Sequence, residues 1–299
     1  MRFNKVVCVD NTKLTDQAIE KLEQFSEEGV DNYKDYPKSE VEIIKRIGDA
    51  EAVIVSWKTQ LTESIIEQCP NLKYIGMAYS LYDDESANVA VNFARDRRII
   101  VKGIFDYGDP GVVEFIISEL IRLLHGFGDQ QWRKMPVELT NRKIGIIGLG
   151  TTGQMLAECL LPFGADLYYF SRTRKKGWEE RGVKYLPLDE LLKQTEIVSL
   201  HLPKNTKLLK RSEFETFGKG KILISTSLGL PFEEKAFQEW LTKQENFGIF
   251  DGDASAGLSE KSLATENLIS YLKSAGWTEE TRRRLSEKVL KNLKDFVES

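Results

Sequence analysis

Three glycines, Gly148, Gly150 and Gly153, have the spacing of a loop that can hold the phosphates of a nucleotide. In this G-x-G-x-x-G pattern the first glycine permits a tight turn and the second lets a pyrophosphate approach the backbone. The third lets the following helix pack close to the strand. Thr151 and Thr152 lie between them at the start of that helix, whose free N–H groups and partial positive charge attract phosphates. The same pattern also occurs as an ordinary tight turn of α/β domains, so the flanking residues decide its meaning.

The residues on both sides of the glycines predict a strand before them and a helix after them. Ile144, Ile146 and Ile147 form a short β-branched apolar run, which is typical of a strand buried on both faces. Helix-forming and apolar residues at helical spacing follow from Gln154 to Leu161. Strand, glycine turn and helix start are together the context in which the motif indicates dinucleotide binding.

The end of the next strand indicates which dinucleotide. A carboxylate about 20 residues past the glycines normally binds the ribose 2′-hydroxyl of NAD. Here the strand Leu167 to Phe170 runs instead into Ser171, Arg172 and Thr173, followed by Arg174 and two lysines. Guanidinium and hydroxyl groups can hold a 2′-phosphate, which a carboxylate would repel. We therefore predict NADP(H) in preference to NAD(H), and the alternative is a solvated basic turn.

Composition and charge exclude several classes of protein. The 299 residues are 41% hydrophobic and 29% charged with a net charge of −4, so no basic surface for nucleic acid is expected. The longest apolar stretch, Val112 to Leu124, is interrupted by charged residues and predicts no membrane span. Three scattered cysteines and two isolated histidines indicate reduced thiols and no metal cluster. A strand pattern at the start leaves no room for a signal peptide, so we expect a cytoplasmic protein.

Strand and helix patterns alternate along the whole chain. This alternation predicts an α/β fold of mostly parallel sheets with helices on both faces. The predicted strands are Lys5 to Val9, Ala52 to Ser56, Lys73 to Met77, Ile99 to Val101, Ile144 to Ile147, Leu167 to Phe170, Ile197 to Leu202, Lys221 to Ser225 and Gly248 to Asp251. The predicted helices are Thr15 to Phe25, Glu40 to Ile47, one from Thr62, Pro110 to Leu124, Gln154 to Leu161, Leu188 to Lys193, Glu233 to Lys243 and Glu279 to Val297.

From Trp132 to Thr281 the sequence resembles the D-isomer-specific 2-hydroxyacid dehydrogenase family. The resemblance is carried by KIGIIGLGTTGQMLA, LDELLKQTEIVSLHLPKNT, KILISTSLG, GIFDGD and NLISYLKSAGWTEET in this order. It implies two Rossmann-like domains, one flavodoxin-like and one NAD(P)-binding, with an inter-domain cleft and homodimers built through the cofactor domain. The implied division is residues 1–110 plus 279–299 for the substrate domain and 111–278 for the NAD(P)-binding domain.

The cofactor positions carry over from the family to this chain. The resemblance places His201 and Pro203 beside the cofactor, Thr226 near the nicotinamide and Asp251 where the family has its carboxamide-binding acid. The full predicted cofactor set is Gly148, Gly150, Thr151, Thr152, Gly153, Ser171, Arg172, Thr173, His201, Pro203, Thr206, Thr226 and Asp251.

The catalytic residues of the family do not carry over. Leu228 stands at the position of the family arginine, Ala256 at that of the glutamate and Lys273 at that of the histidine. A lysine ammonium is a cation at neutral pH and can protonate or polarise a carbonyl or imine, but Lys273 is equally consistent with a surface lysine. Tyr79, Tyr82, Tyr107 and Tyr271 are further candidate hydroxyls, although such residues are more often packed aromatics.

Two functions follow from this pattern of retained and lost residues. The first is an NADP(H)-dependent oxidoreductase that acts on a small molecule other than a simple 2-keto acid. The second is a catalytically silent NADP(H)-binding dimer that senses the cofactor or binds a partner. Both need the cofactor pocket, and we favour the first because Asp251 is kept at the nicotinamide end.

Overall fold

The computed structural model describes residues 2–81, 84–85, 87–204, 206–243 and 245–299. The chain forms two compact units. The N-terminal unit comprises Met1–Tyr107 together with Thr278–Ser299, and the central unit comprises Gly108–Trp277. Each unit has its own sheet, so each is described by itself.

The N-terminal unit contains a five-stranded parallel sheet in the order β2-β1-β3-β4-β5. Its strands are β1 (Val6–Cys8), β2 (Val30–Asn32), β3 (Ala52–Val55), β4 (Tyr74–Met77) and β5 (Ile100–Lys102). Its first helices are α1 (Asp16–Leu22), α2 (Glu40–Ile47), α3 (Glu63–Glu67) and α4 (Val91–Asp96). The three middle strands β1, β3 and β4 are buried along their whole length because helices cover both faces of the sheet.

The central unit contains a seven-stranded parallel sheet in the order β12-β11-β10-β9-β6-β7-β8. Its strands are β6 (Lys143–Ile147), β7 (Asp166–Phe170), β8 (Lys184–Tyr185), β9 (Ile197–Leu200), β10 (Ile222–Ser225), β11 (Phe247–Phe250) and β12 (Leu268–Ser270). Its helices are α5 (Asp109–His125), α6 (Thr151–Leu160), α7 (Lys176–Glu180), α8 (Leu188–Gln194), α9 (Arg211–Phe217), α10 (Glu234–Leu241), α11 (Gly252–Ser255) and α12 (Glu260–Leu263). Strand order reverses at β6, which lies between β7 and β9. Such a switch point is where open α/β sheets bind ligands.

The last helix, α13 (Glu279–Glu298), returns the chain to the N-terminal unit. Leu285, Val289 and Leu293 lie on its apolar face and belong to the core of that unit. The ring of Phe296 stacks on that of Phe3 with 5.4 Å between the ring centroids. This periodicity of apolar residues is the one that predicted the helix from sequence.

The expectation of an α/β fold with two parallel sheets is confirmed by these two units. Within the described residues, no helix combines the length and the apolar character that a membrane span requires. The polar segment between α5 and the glycine-loop strand has no helix or strand from 126 to 142. It is nevertheless anchored, because Trp132 and Leu139 are buried in the core of the central unit.

Candidate nucleotide-binding and active site

The predicted site residues follow directly after six neighbouring strands of the central sheet. In the sheet register Ile147 pairs with both Phe170 and Leu200, and Ser225 pairs with both Leu200 and Phe250. Phe250 in turn pairs with Ser270. The residues that come next along the chain therefore form one row across the carboxyl edge of the sheet, in the order Ser171, Gly148, His201, Thr226, Asp251 and Tyr271.

The three glycines of the loop differ in the space around them. A Cβ on Gly148, whose φ is +96°, would lie 2.1 Å from the carbonyl oxygen of His201. A Cβ on Gly153 would lie 2.3 Å from the carbonyl oxygen of Gly148. A Cβ on Gly150 would have nothing within 4 Å. Two glycines are therefore required by the fold, whereas Gly150 borders open space through which a phosphate can reach the backbone.

The helix after this loop begins without a side-chain cap. Gly150 is the N-cap of α6, and no described side chain accepts a hydrogen bond from the first turn. The first helical bond runs from the amide of Gln154 to the carbonyl of Gly150, at 2.9 Å. The amides of Thr151, Thr152 and Gly153 precede it and have no helical acceptor. A helix N-terminus of this kind binds anions, so the residues present fit the pyrophosphate of a dinucleotide.

One residue of the loop already has a partner that the sequence did not reveal. The hydroxyl of Thr152 donates a hydrogen bond to the carboxylate of Asp109 at the start of α5. Both residues are partly buried and belong to the central unit. The side chain of Thr152 therefore holds the start of α5 beside the glycine loop, and its backbone amide is the group that remains for a phosphate.

The turn after β7 contains two arginines with different surroundings. Arg174 forms an ion pair with Glu179, and its guanidinium lies 4.9 Å from the centroid of the Tyr185 ring. Arg172 is exposed and, within the described part of the chain, forms no hydrogen bond, ion pair or ring contact. Its neighbours Ser171 and Thr173 likewise have hydroxyls without a recorded partner in that part of the chain. Of the two arginines at this turn, Arg172 is therefore the one whose charge is free for a ligand.

His201 is partly buried and uncharged beside the glycine loop. Its amide donates to the carbonyl of Ile147 at 2.8 Å, and its Nε2 lies 2.9 Å from the hydroxyl of Ser199. Burial lowers the pKa of His201 to about 4. The ring is therefore uncharged at neutral pH and contributes no cation to a bound phosphate.

A family comparison shows what the part of the chain that carries most of this row is similar to. Residues 118–251 match the model of the D-isomer specific 2-hydroxyacid dehydrogenase, NAD binding domain. The matched residues lie within the central unit, Gly108–Trp277, which is therefore similar to that domain. The resemblance noted from the sequence motifs is thereby confirmed.

Relatives and solved structures extend the similarity to both units. The chain is 27% identical over 285 residues to a hydroxypyruvate reductase of Blautia hydrogenotrophica, covering 86% of this chain and 85% of that protein. It is 26% identical to a glyoxylate reductase of Korarchaeum cryptofilum, covering 95% and 90%. A solved acyclic imino acid reductase in complex with NADPH and D-Arg shares the fold, with a TM-score of 0.80, 23% identity and coverage of 98% and 97%. A Thermus thermophilus protein gives a TM-score of 0.82 at 22% identity, with coverage of 98% and 97%.

The position of the family arginine is occupied by an exposed apolar side chain. Leu228 follows β10 and is 50% exposed. Thr226, two residues earlier, is partly buried, and the hydroxyl of Ser227 is used internally to bond the amide of Leu202 and the carbonyl of Leu200, each at 3.3 Å. Ala256, at the position of the family glutamate, is exposed at the end of α11. Neither of these two positions offers a charge or a hydrogen bond from its side chain.

Asp251 is buried and serves as the cap of α11. Its Oδ1 accepts from the amide of Ala254 at 3.0 Å and its Oδ2 from the amide of Ala275 at 2.8 Å. Burial raises the pKa of Asp251, and these two amides act in the opposite direction. A carboxylate oxygen can accept more than one hydrogen bond, so both oxygens retain capacity for the carboxamide predicted from the family. The structural role of Asp251 could not be read from the sequence.

Lys273 is exposed and lies on a loop that is fixed at three successive residues. Its carbonyl accepts from the amide of Gly252 at 2.8 Å. The hydroxyl of Ser274 donates to Asp253 at 2.5 Å, and the amide of Ala275 donates to Asp251. The ammonium of Lys273 itself has no recorded partner within the described residues. The backbone that carries this lysine is therefore held in place, while its charge remains available.

The other predicted residues are placed as follows. The hydroxyl of Tyr271 donates to Glu119 at 2.7 Å, and its proton is thus directed into α5. Pro203 is exposed, and its carbonyl accepts from the amide of Thr206 at 3.2 Å in the turn after β9. Tyr79 and Tyr107 belong to the N-terminal unit, and Tyr82 lies outside the described residues.

Proposed function

We propose that this chain is an NADP(H)-dependent oxidoreductase whose substrate is not a simple 2-keto acid. The observation that carries the proposal is the exposed guanidinium of Arg172, which is unpaired among the described residues. It lies in the turn after β7, the strand that neighbours the glycine-loop strand β6. When bound, the nicotinamide ring of such a cofactor accepts or delivers a hydride. The residues of this chain bind and orient the nucleotide and supply the proton.

The row of residues at the sheet edge is long enough for an extended dinucleotide. Ser171 and Thr226 follow strands three positions apart in the sheet, which corresponds to ~14 Å at the usual spacing of neighbouring strands. The adenosine end would lie at Ser171 and Arg172, the pyrophosphate at Gly150, and the nicotinamide toward Thr226 and Asp251. This arrangement supports the order of contacts that the family resemblance implies.

Affinity measurements on one variant test the choice of cofactor. Replacing Arg172 by Ala should weaken the binding of NADPH by about tenfold or more, because a hydrogen bond to a charged group contributes about 1.5–3 kcal/mol. Binding of NADH, which has no 2′-phosphate, should change less than about twofold. Arg181→Ala is the matched control, since Arg181 is an exposed arginine of the same unit that pairs with Glu158. Equal losses of NADPH and NADH affinity in Arg172→Ala would remove the basis for NADP(H).

The substrate side of the proposal rests on Leu228 and Ala256. Reduction of a 2-keto acid requires positive charge beside the carboxylate and the developing alkoxide, together with a proton donor. An exposed leucine supplies neither, and it would leave a carboxylate against apolar surface at a cost in free energy. Lys273 is the cation that this chain retains at the three family positions. We assign to its ammonium the protonation of a carbonyl oxygen or an imine nitrogen.

A substrate screen tests this assignment. NADPH oxidation is followed with aldehydes, ketones and imines that lack a 2-carboxylate, and with glyoxylate, hydroxypyruvate and pyruvate for comparison. For a compound that is turned over, Lys273→Met should lower kcat by about 100-fold or more, the scale of general acid catalysis. NADPH affinity should remain unchanged. Lys261→Met, at another exposed lysine of the same unit, is the control.

A second candidate function is a silent NADP(H)-binding protein, which the uncharged positions Leu228 and Ala256 favour. The two functions are separated by the screen, since a silent protein binds NADPH tightly and oxidises it with none of the compounds. Rates with pyruvate or hydroxypyruvate that are normal for a 2-keto acid reductase would contradict both candidates.

We further propose that the protein is a homodimer formed through the central unit. Phe127 and Met135 support this, because they lie in the segment after α5 and are 70% and 71% exposed. Exposed apolar side chains of this size on one segment favour burial in an interface. Light scattering should give a dimer for the wild-type chain and a monomer for Phe127→Asp combined with Met135→Asp.

A further inference from the structure

The hydroxyl of a buried tyrosine makes two hydrogen bonds that hold the turn proposed to bind the 2′-phosphate. The hydroxyl of Tyr169, on β7, donates to Glu179 at 2.9 Å and accepts from the amide of Lys175 at 2.7 Å. Tyr169 is fully buried. Burial raises the pKa of Tyr169, so its hydroxyl remains protonated and keeps both hydrogen bonds at neutral pH.

These contacts fix both ends of a short turn. At its start, the carbonyl of Phe170 accepts from the amide of Gly148 at 2.8 Å, which attaches the turn to the glycine loop. At its end, the amide of Lys175 is bound to Tyr169. The four residues between these anchors are Ser171, Arg172, Thr173 and Arg174. A turn held at both ends loses less conformational entropy when a ligand binds.

Glu179 pairs with one of the two arginines of this turn, and the two therefore have different roles. Its carboxylate binds Arg174, whose Nε lies 3.0 Å from Oε1, and this pairing lowers the pKa of Glu179 and raises that of Arg174. The charge of Arg174 is thereby compensated, and its guanidinium is held over the ring of Tyr185. Arg172 receives no such partner in the described part of the chain.

We propose that Tyr169 and Glu179 are specificity-determining positioning residues, which preset the turn so that Arg172, Ser171 and Thr173 recognise a 2′-phosphate. This inference rests on the proposed NADP(H) function and adds to it the residues that shape its phosphate subsite. Tyr169 and Glu179 act through the turn and do not themselves contact the nucleotide. Arg174 serves to hold Glu179 and the turn, and Arg172 binds the phosphate.

Tyr169→Phe tests the inference, because it keeps the buried ring and removes only the hydroxyl. The dissociation constants of NADPH, NADH, 2′,5′-ADP and 5′-ADP are measured by calorimetry for this variant and for the wild-type protein. NADPH and 2′,5′-ADP should bind about tenfold more weakly, and NADH and 5′-ADP should change less than about twofold. Tyr185→Phe is the matched control. The Tyr185 ring packs edge-on against Tyr169 with 5.4 Å between the centroids, and its hydroxyl has no recorded hydrogen bond in the described residues.

The ratio of the NADPH and NADH dissociation constants separates positioning from general stability. A variant that is merely less well folded loses affinity for all four nucleotides, and that outcome would overturn the inference. An unchanged ratio in Tyr169→Phe would overturn it as well. If Arg172→Ala weakens the binding of NADPH more than that of NADH while Tyr169→Phe does not, the inference fails and the NADP(H) function stands. If Arg172→Ala shows no selectivity either, the cofactor proposal fails and the inference fails with it.

Discussion

The carbonyl oxygen of His201 lies 2.1 Å from the point where a side chain on Gly148 would begin. Strand β9 and the glycine turn after β6 thus approach each other so closely that only a residue without a Cβ fits. Two residues on, the same loop has open space at Gly150. The first glycine is therefore required by the fold, and the second is the one that we propose to border the pyrophosphate.

Alanine substitutions at these two glycines should affect different properties, namely folding stability at Gly148 and nucleotide binding at Gly150. Gly148→Ala introduces the contact with His201 and a side chain at a φ of +96°, which alone costs about 1–3 kcal/mol of folding free energy. Gly150→Ala places its methyl group in open space at a φ of −83°, where alanine is unstrained. Urea denaturation should show a large loss of stability for Gly148→Ala and none for Gly150→Ala.

Nucleotide titration completes this comparison. Gly150→Ala should weaken the binding of NADPH by about tenfold, because its methyl group fills the space through which the pyrophosphate reaches the backbone. A Gly150→Ala variant that binds NADPH as the wild-type protein does would show that the phosphates do not pass over this residue.

Much of this site was predictable because its signals are local in sequence. The three isoleucines of β6, the glycines and the start of α6 occupy 18 consecutive residues, from Ile144 to Leu161. Strand period, turn residues and helix formers agree within that window. The basic turn after β7 was equally visible, since it follows a short apolar run. The sequence therefore predicted the strand, the glycine turn and the helix start, together with the basic turn after the next strand.

The partners of these residues were not predictable, because they are distant in sequence or made by backbone atoms. Asp109 is 43 residues from Thr152, and Glu119 is 152 residues from Tyr271. Glu179 and Tyr185 are closer in sequence, but which of the two arginines they contact depends on the path of the turn, so the sequence could not distinguish Arg172 from Arg174. Short elements such as β2, β8 and α12 were also missed, because a few residues show too little periodicity to predict a strand or helix.

Restoring the family arginine should restore affinity for a carboxylate. Leu228 is half exposed, so an arginine can be accommodated there without disturbing the core. In Leu228→Arg, the NADPH complex should bind oxamate, a keto acid analogue, about tenfold more tightly, as expected for one charged hydrogen bond. Leu263→Arg, at another exposed leucine of the same unit, should bind it no better than the wild-type protein. The absence of any gain in Leu228→Arg would show that this position does not face the substrate.

His201 should make the protein less stable in mild acid. The pKa of His201 in the folded protein is lowered to about 4 from the 6.5 of a free histidine, so between these values the unfolded chain binds a proton that the folded protein does not. The full stability is therefore present above pH 6.5 and declines as the pH falls toward 4. Because the residue is partly buried, the loss should be about 1–3 kcal/mol.

Replacing His201 by Gln isolates this contribution. Glutamine can retain the hydrogen bond to Ser199 but does not titrate in this range. The free energy of unfolding, measured in urea at pH 7, 5.5 and 4.5, should fall more steeply for the wild-type protein than for His201→Gln. Parallel pH dependences for the two proteins would show that the ring of His201 is protonated as readily in the folded state as in the unfolded chain.

The proposed preference for NADP(H) rests on Arg172, whose charge has no partner in the described part of the chain. Its most direct test is the pair of dissociation constants of the wild-type protein for NADPH and NADH, measured at low and at moderate ionic strength. We expect NADPH to bind about tenfold more tightly or better, with a preference that decreases as salt screens the charge of Arg172. Equal affinities, or tighter binding of NADH, would contradict the central claim.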